Sequence, residues 1–375
     1  MPRVSGLRKH RRDGSILTAA GWRRGTVRFT HHIAAIEGEP TGLPKPPFVL
    51  PGFVDLHVHG GGGGDVMQGE AAVRTMARCH ARHGTTALLA TTVTAPAADI
   101  DAALAGIEAV RAAPLGGEAH ILGAHLEGPF LHPDKLGAQP PFALPPDLDL
   151  LARWSERAVV RAMTFAPERD ADGRLMRALH DRGIRPQVGH SLATAAEASA
   201  AFAAGCGVTH LYNAMSGLDH RAPGVVGGAL ATARWAEIIP DLVHVHPTAI
   251  LAALRAIPRL YVVTDATAGA GMPDGDYPLG RYRATKRGDT MRLADGSLAG
   301  SVLTMDRALR NLVAIGLPLD AAARCCATLP AHWLGLADRG ELRPGARADL
   351  VVLDGDLRVL EVVIGGCTLE DAAGP

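Results

Sequence analysis

Six side chains in this sequence have the types and placement to bind a metal ion and move a proton: His57, His59, Glu127, His190, His210 and Asp265. They fall in PGFVDLHVHGGGG, ILGAHLEGPF, RPQVGHS, VTHLYNAM and LYVVTDATAG, each near the point where a short apolar run stops. An interior carboxylate such as Glu127 is costly unless it is paired or bound to a cation. His57 and His59 are two residues apart, so on a strand both imidazoles face the same side. The glycines at 60–64 behind them let backbone pass close to a ligand. Taken singly, each histidine also fits a satisfied core residue, and Glu127 a buried salt bridge. Three such residues, Glu127, His190 and His210, at the same end of three different runs point instead to a metal. Imidazole with carboxylate suits Zn²⁺, with Fe²⁺, Co²⁺ or Mn²⁺ as substitutes. Three protein ligands leave one position open for water, as a catalytic site requires.

Asp265 is the candidate acid-base group. Unaided, an aspartate of pKa about 4 faces water of pKa about 15.7, a gap worth about 16 kcal/mol. A metal that brings bound water to about pKa 7 shrinks the gap to about 4 kcal/mol. Asp265 therefore makes chemical sense only beside a metal; otherwise it caps the segment after its strand.

These residues need a scaffold that gathers distant strand ends. Short β-rich runs at 52–58, 85–93, 120–126, 159–165, 186–190, 207–212, 236–243 and 260–264 alternate with helical patterns such as GEAAVRTMARCHARHG, which Gly84 closes. Eight such runs predict a (β/α)₈ TIM-type barrel, whose C-terminal strand ends surround one mouth. A doubly wound open sheet is disfavoured because no G-x-G-x-x-G fingerprint with a downstream acid is present. Before the barrel, VSGLRKH, GSILTAA, GTVRFT and HHIAAIEGE read as strands, followed by a Pro-rich joint, LPKPP. After it, GELRPGARADLVVLDGDLRVLEVVIGG reads as hairpin-sized strands cut by turns at Pro344-Gly345 and Asp354-Gly355. The expectation is a barrel over 51–335 and a small β-sandwich built from 1–50 and 336–375. The Pro-rich stretch 139–149 reads as an excursion loop.

The bulk properties exclude several partners. Lys+Arg and Asp+Glu both number 38, so nothing argues for nucleic acid or an anionic membrane. No run approaches the length of a membrane span, and no apolar stretch follows the basic N-terminus as a secretory signal would require. Five cysteines without C-x-x-C spacing suit reduced thiols and a cytoplasmic location. Among the 17 histidines, His10, His31, His32, His80, His83 and His180 sit on surface or helical patterns and read as structural.

At HLEGP, GHS, THLYNAM, TDAT and LAGSVLTM the chain resembles the N-acetylglucosamine-6-phosphate deacetylases of the amidohydrolase superfamily, over nearly its full length. The closing G-x-L-x-P-G-x-x-A-D-L-V-V-L-D segment is similar to that superfamily's C-terminal β-domain. The resemblance implies a barrel with a β-sandwich from both termini, and metal-dependent hydrolysis of the acetamide of N-acetylglucosamine 6-phosphate in amino-sugar catabolism. It implies Glu127, His190 and His210 as the main metal ligands and Asp265 as catalytic base and acid. It implies substrate contacts at Ala138, Gln139, Asn213, Ala214, His244, Leu298, Ala299 and Gly300, and a phosphate contact at Arg221. In the family that arginine is supplied across a dimer interface, which implies a homodimer. His57 and His59 match an H-x-H that some members keep, which implies a second ion where it is present. One or two ions remain open.

Two positions depart from the family. Gln139 stands where most members have histidine, and Leu242 replaces the glycine of D-G-x-H. Both leave open a related N-acyl amino sugar, such as N-acetylgalactosamine 6-phosphate, as substrate. A non-catalytic sugar-phosphate binder is the rival reading from another class; the complete set of Glu127, His190, His210 and Asp265 argues against it. Other amidohydrolase reactions, on D-amino acids, cyclic amides or amines, are disfavoured by THLYNAM with Arg221 eleven residues after His210.

Overall fold

The computed structural model describes residues 10–369, so the expected strand in VSGLRKH lies almost wholly outside the described residues. Eight parallel strands follow one another in chain order: β1 (Phe53–Val58), β2 (Thr85–Thr92), β3 (His120–Glu127), β4 (Val160–Phe165), β5 (Arg185–Val188), β6 (Gly207–Val208), β7 (Trp235–Ile238) and β8 (Arg259–Val262). Each overlaps one of the eight runs read from the sequence. Those runs are mostly apolar because a parallel barrel strand is covered on both faces; β2 is buried along its whole length.

β1 and β8 meet at a seam rather than a regular ladder. Just past β8, Ala266 bridges Val58 in parallel fashion, the Asp265 N–H donates to the His57 carbonyl at 2.9 Å, and the His59 N–H donates to the Ala266 carbonyl at 2.8 Å. Deeper in the seam the Asp55 carboxylate accepts from the Thr264 hydroxyl at 2.6 Å and its N–H at 3.2 Å. Burial pushes the Asp55 carboxyl up to about 7, against the pull of the Thr264 hydrogen bonds. The seam thus fixes His57, His59 and Asp265 relative to one another through main chain.

The helices take their boundaries from local chemistry. Glu70–Ala81 buries Val73, Met76, Ala77, His80 and Ala81, the i, i+3, i+4, i+7, i+8 stripe of a helix against a sheet. Leu148–Arg157 begins where the Asp147 carboxylate accepts the N–H groups of Asp149 and Leu150. Ala195–Ala203 opens on a capping box of Thr194 and Glu197.

Both termini build one mixed sheet of seven strands, in the order Cys367–Thr368, Val359–Ile364, Leu350–Leu353, Phe48–Pro51, His10–Thr18, Gly21–Phe29 and Ile33–Pro40. Its two halves join where Leu350–Leu353 pairs antiparallel with Phe48–Pro51. A small core of its own forms from Ile16, Val27, Phe29, Ile33, Leu350, Val352 and Val363. This is the two-ended β-unit that the sequence leads one to expect.

A second addition was not foreseen. After β8 the chain makes a three-stranded antiparallel flap, Gly275–Leu279, Tyr282–Arg287 and Thr290–Arg292, before the helix Met305–Ala314. Leu279, Ala284, Met291, Ala299, Val302 and Val93 pack together beneath it, which pins the flap beside the barrel mouth. All five cysteines are unpaired. Among the described residues, no helix is long and apolar enough to cross a membrane.

His80 ties the helix Glu70–Ala81 to the glycine run after β1. Its Nε2 donates to the Gly60 carbonyl at 2.9 Å, while its buried Nδ1 has no partner. Protonation would strand that second N–H, and burial lowers the His80 pKa from 6.5 to about 4. Below pH 6.5 the unfolded chain takes up a proton that the folded one refuses until about pH 4, so folding stability falls as pH drops through this window. The loss from this group is about 3 kcal/mol. Denaturant titrations of His80→Gln, which keeps a donor for Gly60, should show a shallower decline between pH 6.5 and 4 by about that amount.

Candidate metal centre and substrate cavity

The mouth of the barrel collects side chains from five strands. Glu127 ends β3; His190 and His210 lie two residues past β5 and β6; Asp265 lies three past β8; His57 is on β1 and His59 follows it. Glu127 Oε1 lies 2.9 Å from His210 Nε2 and 3.1 Å from His190 Nε2, and the two imidazole nitrogens are 3.2 Å apart. Beside this group, His57 Nε2 and His59 Nε2 are 3.2 Å apart. Asp265 Oδ1 is 3.5 Å from the former and 3.2 Å from the latter. Glu127 spans both groups: its Oε1 is 3.4 Å from His57 Nε2 and its Oε2 3.2 Å from His59 Nε2. Every one of these side chains is buried.

Backbone conformation explains how they converge. Seven non-glycine residues among those described have positive φ, and six of them stand at this mouth: His190, His210, Tyr212, Ala214, Leu242 and Asp265. A left-handed residue at the end of a strand swings its side chain over the barrel axis, at a cost of order 1–3 kcal/mol each.

Whether the cluster fits a cation can be judged from its outer hydrogen bonds. His190 Nδ1 lies 2.9 Å from the Lys135 carbonyl, His59 Nδ1 3.1 Å from the Thr91 carbonyl, and His57 Nδ1 3.1 Å from Glu237 Oε2. Each acceptor holds the proton on Nδ1 and leaves an Nε2 lone pair facing inward, the tautomer that metal-binding histidines use. Two such nitrogens 3.2 Å apart repel unless positive charge sits between them. Glu127 and Asp265 add carboxylates, and among the described residues no lysine or arginine lines the cavity. Burial opposes protonation of His57 and His59, yet the neighbouring carboxylates hold both above the usual imidazole range, His59 at about 9. The cluster attracts positive charge, and its donor set fits a divalent metal.

A cavity of about 280 Å³ opens above the cluster, at the small end of ligand pockets. His59, Glu127, His190, His210 and Asp265 form its floor; Ala138, Gln139, Asn213, Ala214, His244, Leu298 and Gly300 its walls, with Leu279 and Ser297 contributed by the flap region. Ala299 lies between two wall residues but turns into the apolar cluster under the flap. Its N–H donates to the Met291 carbonyl. Arg221 is exposed and stands outside the lining.

Gln139 has both ends of its amide committed. Its Oε1 accepts from the Thr94 N–H at 2.6 Å and its Nε2 donates to Glu127 Oε2. His244 is held by Asp241, whose carboxylate takes its Nδ1 proton at 2.6 Å and two main-chain N–H groups of the same turn. Burial disfavours charge on His244, but Asp241 outweighs it and holds the imidazole above its usual range.

Beneath the floor lie polar residues that the sequence analysis passes over: Asp55, His125, Gln187 and Glu237, all buried. The signal was available for Glu237 in WAEIIP, an acid inside an apolar run, as for Glu127.

The chain belongs to the amidohydrolase family, whose sequence pattern matches residues 48–369. An N-acetylgalactosamine-6-phosphate deacetylase of Escherichia coli O157:H7 is 41% identical over 89% of this chain and 91% of that protein. An N-acetylglucosamine-6-phosphate deacetylase of Bacillus subtilis is 38% identical over 86% and 85%. A solved N-acetylglucosamine-6-phosphate deacetylase mutant of Mycobacterium smegmatis, in complex with N-acetylglucosamine 6-phosphate, superposes with a TM-score of 0.89 at 35% identity, covering 96% of this chain and 99% of that one.

Leu242 adopts φ 65° in the turn that Asp241 organises. Leu242→Gly should relieve this left-handed strain and raise folding stability by about 1 kcal/mol, read as an upward shift in the urea midpoint.

Proposed function

We propose that this chain hydrolyses the acetamide of N-acetylglucosamine 6-phosphate to glucosamine 6-phosphate and acetate, a step of amino-sugar catabolism. The observation that carries this reading is the convergence of Glu127, His190, His210 and Asp265 on the floor of one sugar-sized cavity. Relatives that carry this activity or its N-acetylgalactosamine counterpart align over most of the chain.

In this reading Glu127, His190 and His210 hold a divalent ion, Zn²⁺ by donor preference, with Fe²⁺, Co²⁺ or Mn²⁺ as alternatives. His57 and His59, with Asp265, offer a second place, so one or two ions bind. A bound ion supplies Lewis acidity toward the amide carbonyl and toward water. Asp265 accepts the proton of the attacking water and returns it to the departing amine at C2. His244, oriented by Asp241, donates to a sugar hydroxyl. Asn213, Ala214, Ala138, Leu298 and Gly300 shape the walls around the ring, Ala299 supports them from the core behind, and Gln139 contributes as it steadies Glu127. Arg221 contacts the 6-phosphate with a charge-assisted bond. It stands outside its own cavity, three residues after Leu218, which is 61% exposed. That placement supports a homodimer in which each copy lends its arginine to the other. Reduced thiols favour a cytoplasmic location.

A second reading, N-acetylgalactosamine 6-phosphate as substrate, is favoured by the Escherichia coli relative and by Gln139 in place of the family's histidine.

The protein supplied with Zn²⁺ should release acetate from N-acetylglucosamine 6-phosphate. Faster release from the galacto epimer selects the second reading, and release from neither sugar refutes both. Asp265→Asn should retain the ion held by Glu127, His190 and His210 and lower kcat by about 10³-fold; a near-normal kcat would exclude it as the proton carrier. Arg221→Ala should raise KM for the phosphorylated sugar by about 10- to 100-fold. It should leave KM for unphosphorylated N-acetylglucosamine unchanged, and an equal rise for both would end the phosphate assignment.

A further inference from the structure

Glu237 is a fully buried carboxylate that the proposed reaction does not use. It lies on the inner face of β7, one layer below the cavity floor, in register with Tyr261 of β8. Its Oε2 accepts from His57 Nδ1 at 3.1 Å and from the main-chain N–H of His210 at 3.2 Å. Its Oε1 accepts from Gln187 Nε2 at 2.6 Å, and the Tyr261 hydroxyl is shared between this oxygen at 3.3 Å and Gln187 Oε1 at 3.1 Å. No lysine or arginine pairs with it among the described residues.

Two features of this arrangement exceed what packing needs. First, one oxygen reaches into both ligand groups: the His57 ring of the His57, His59 and Asp265 group, and the backbone of His210 in the other. His210 has φ 27°, so its N–H points away from strand pairing, and Glu237 gives it an acceptor. Second, the acceptors differ in charge. His59 and His190 are backed by neutral carbonyls at Thr91 and Lys135, whereas His57 is backed by a carboxylate. An anionic acceptor makes the facing Nε2 a better donor to a cation, and outer partners of this kind set metal affinity.

We infer that Glu237 is a positioning residue for the metal centre: it fixes the ring and tautomer of His57 and anchors the bend at His210, so the ion beside His57 depends on it. This rests on the reading of the cavity as a metal centre. Gln187 and Tyr261 hold the second oxygen and thereby the carboxylate's rotation, so they belong to the same tether.

Glu237→Gln tests it, because the amide keeps the shape but presents one donor edge to a cage of donors. Metal affinity, measured by competition with a chromophoric chelator, should fall 10- to 100-fold for the ion that His57 contacts. In a His57→Asn background the same change should cost much less, since the coupling it removes is already gone. Thermal unfolding of the metal-free proteins separates a general packing defect, which would lower Tm equally in both backgrounds. If Glu237→Gln fails to fold, Gln187→Leu, which frees the carboxylate to rotate, should lower the same affinity in the same direction. Wild-type affinity in Glu237→Gln, or an equal loss with and without His57, overturns the inference while leaving the metal centre standing. A wild-type protein that takes up no divalent ion overturns both.

Discussion

Three carboxylates, Glu127, Glu237 and Asp265, are buried at the barrel mouth with imidazoles, amides, hydroxyls and main-chain groups as their neighbours. Anions removed from water require compensation, and neutral imidazoles alone do not provide it. The hydrogen-bond layer shows how the chain meets this demand. Donors from Gln139, Gln187, Tyr261 and the His210 N–H converge on Glu127 and Glu237. The inward Nε2 edges of His57, His59, His190 and His210 meanwhile face Glu127, Asp265 and one another. The rest of the structure, from the seam to the flap, holds this concentration of negative charge in place.

Such a cluster cannot be made by regular strands alone. At the end of β1 the alternation of side chains brings His57 and His59 to one face. At β5, β6 and β8 the strand stops first, and a left-handed residue carries the functional group inward. The strain at His190, His210 and Asp265 is borne by the barrel beneath, where Val188, Val208 and Val262 are fully buried. A rigid parallel sheet therefore does two tasks, spacing the ligands around a circle and supporting backbone that would relax in a looser context.

The barrel was legible because both-face burial turns each strand into an apolar run, and the ligand types stood out where the runs ended. The two-ended β-unit was legible from strand-like segments left over on either side. The flap was not: Gly275–Arg292 carries no apolar alternation strong enough to announce strands, and its order comes from packing Leu279, Ala284 and Met291 over Val93. Its turns at Gly280 and Gly288 were the available hint. Glu237 and Asp55 escaped because each lies inside its run rather than at the end, where attention to strand termini does not reach. Leu298, Ala299 and Gly300 show the limit of motif reading, since neighbours along a loop part company. Leu298 and Gly300 face the cavity while Ala299 turns to the core.

Gln139 couples the loop after β2 to the carboxylate at the heart of the cluster. Its amide serves Thr94 with one atom and Glu127 with the other, a two-sided bridge that an imidazole spans only with different reach. A side chain that served only one of these partners would leave the Thr94 N–H orphaned or Glu127 unsteadied. Any replacement at this position must therefore satisfy a main-chain donor on one side and a buried carboxylate on the other.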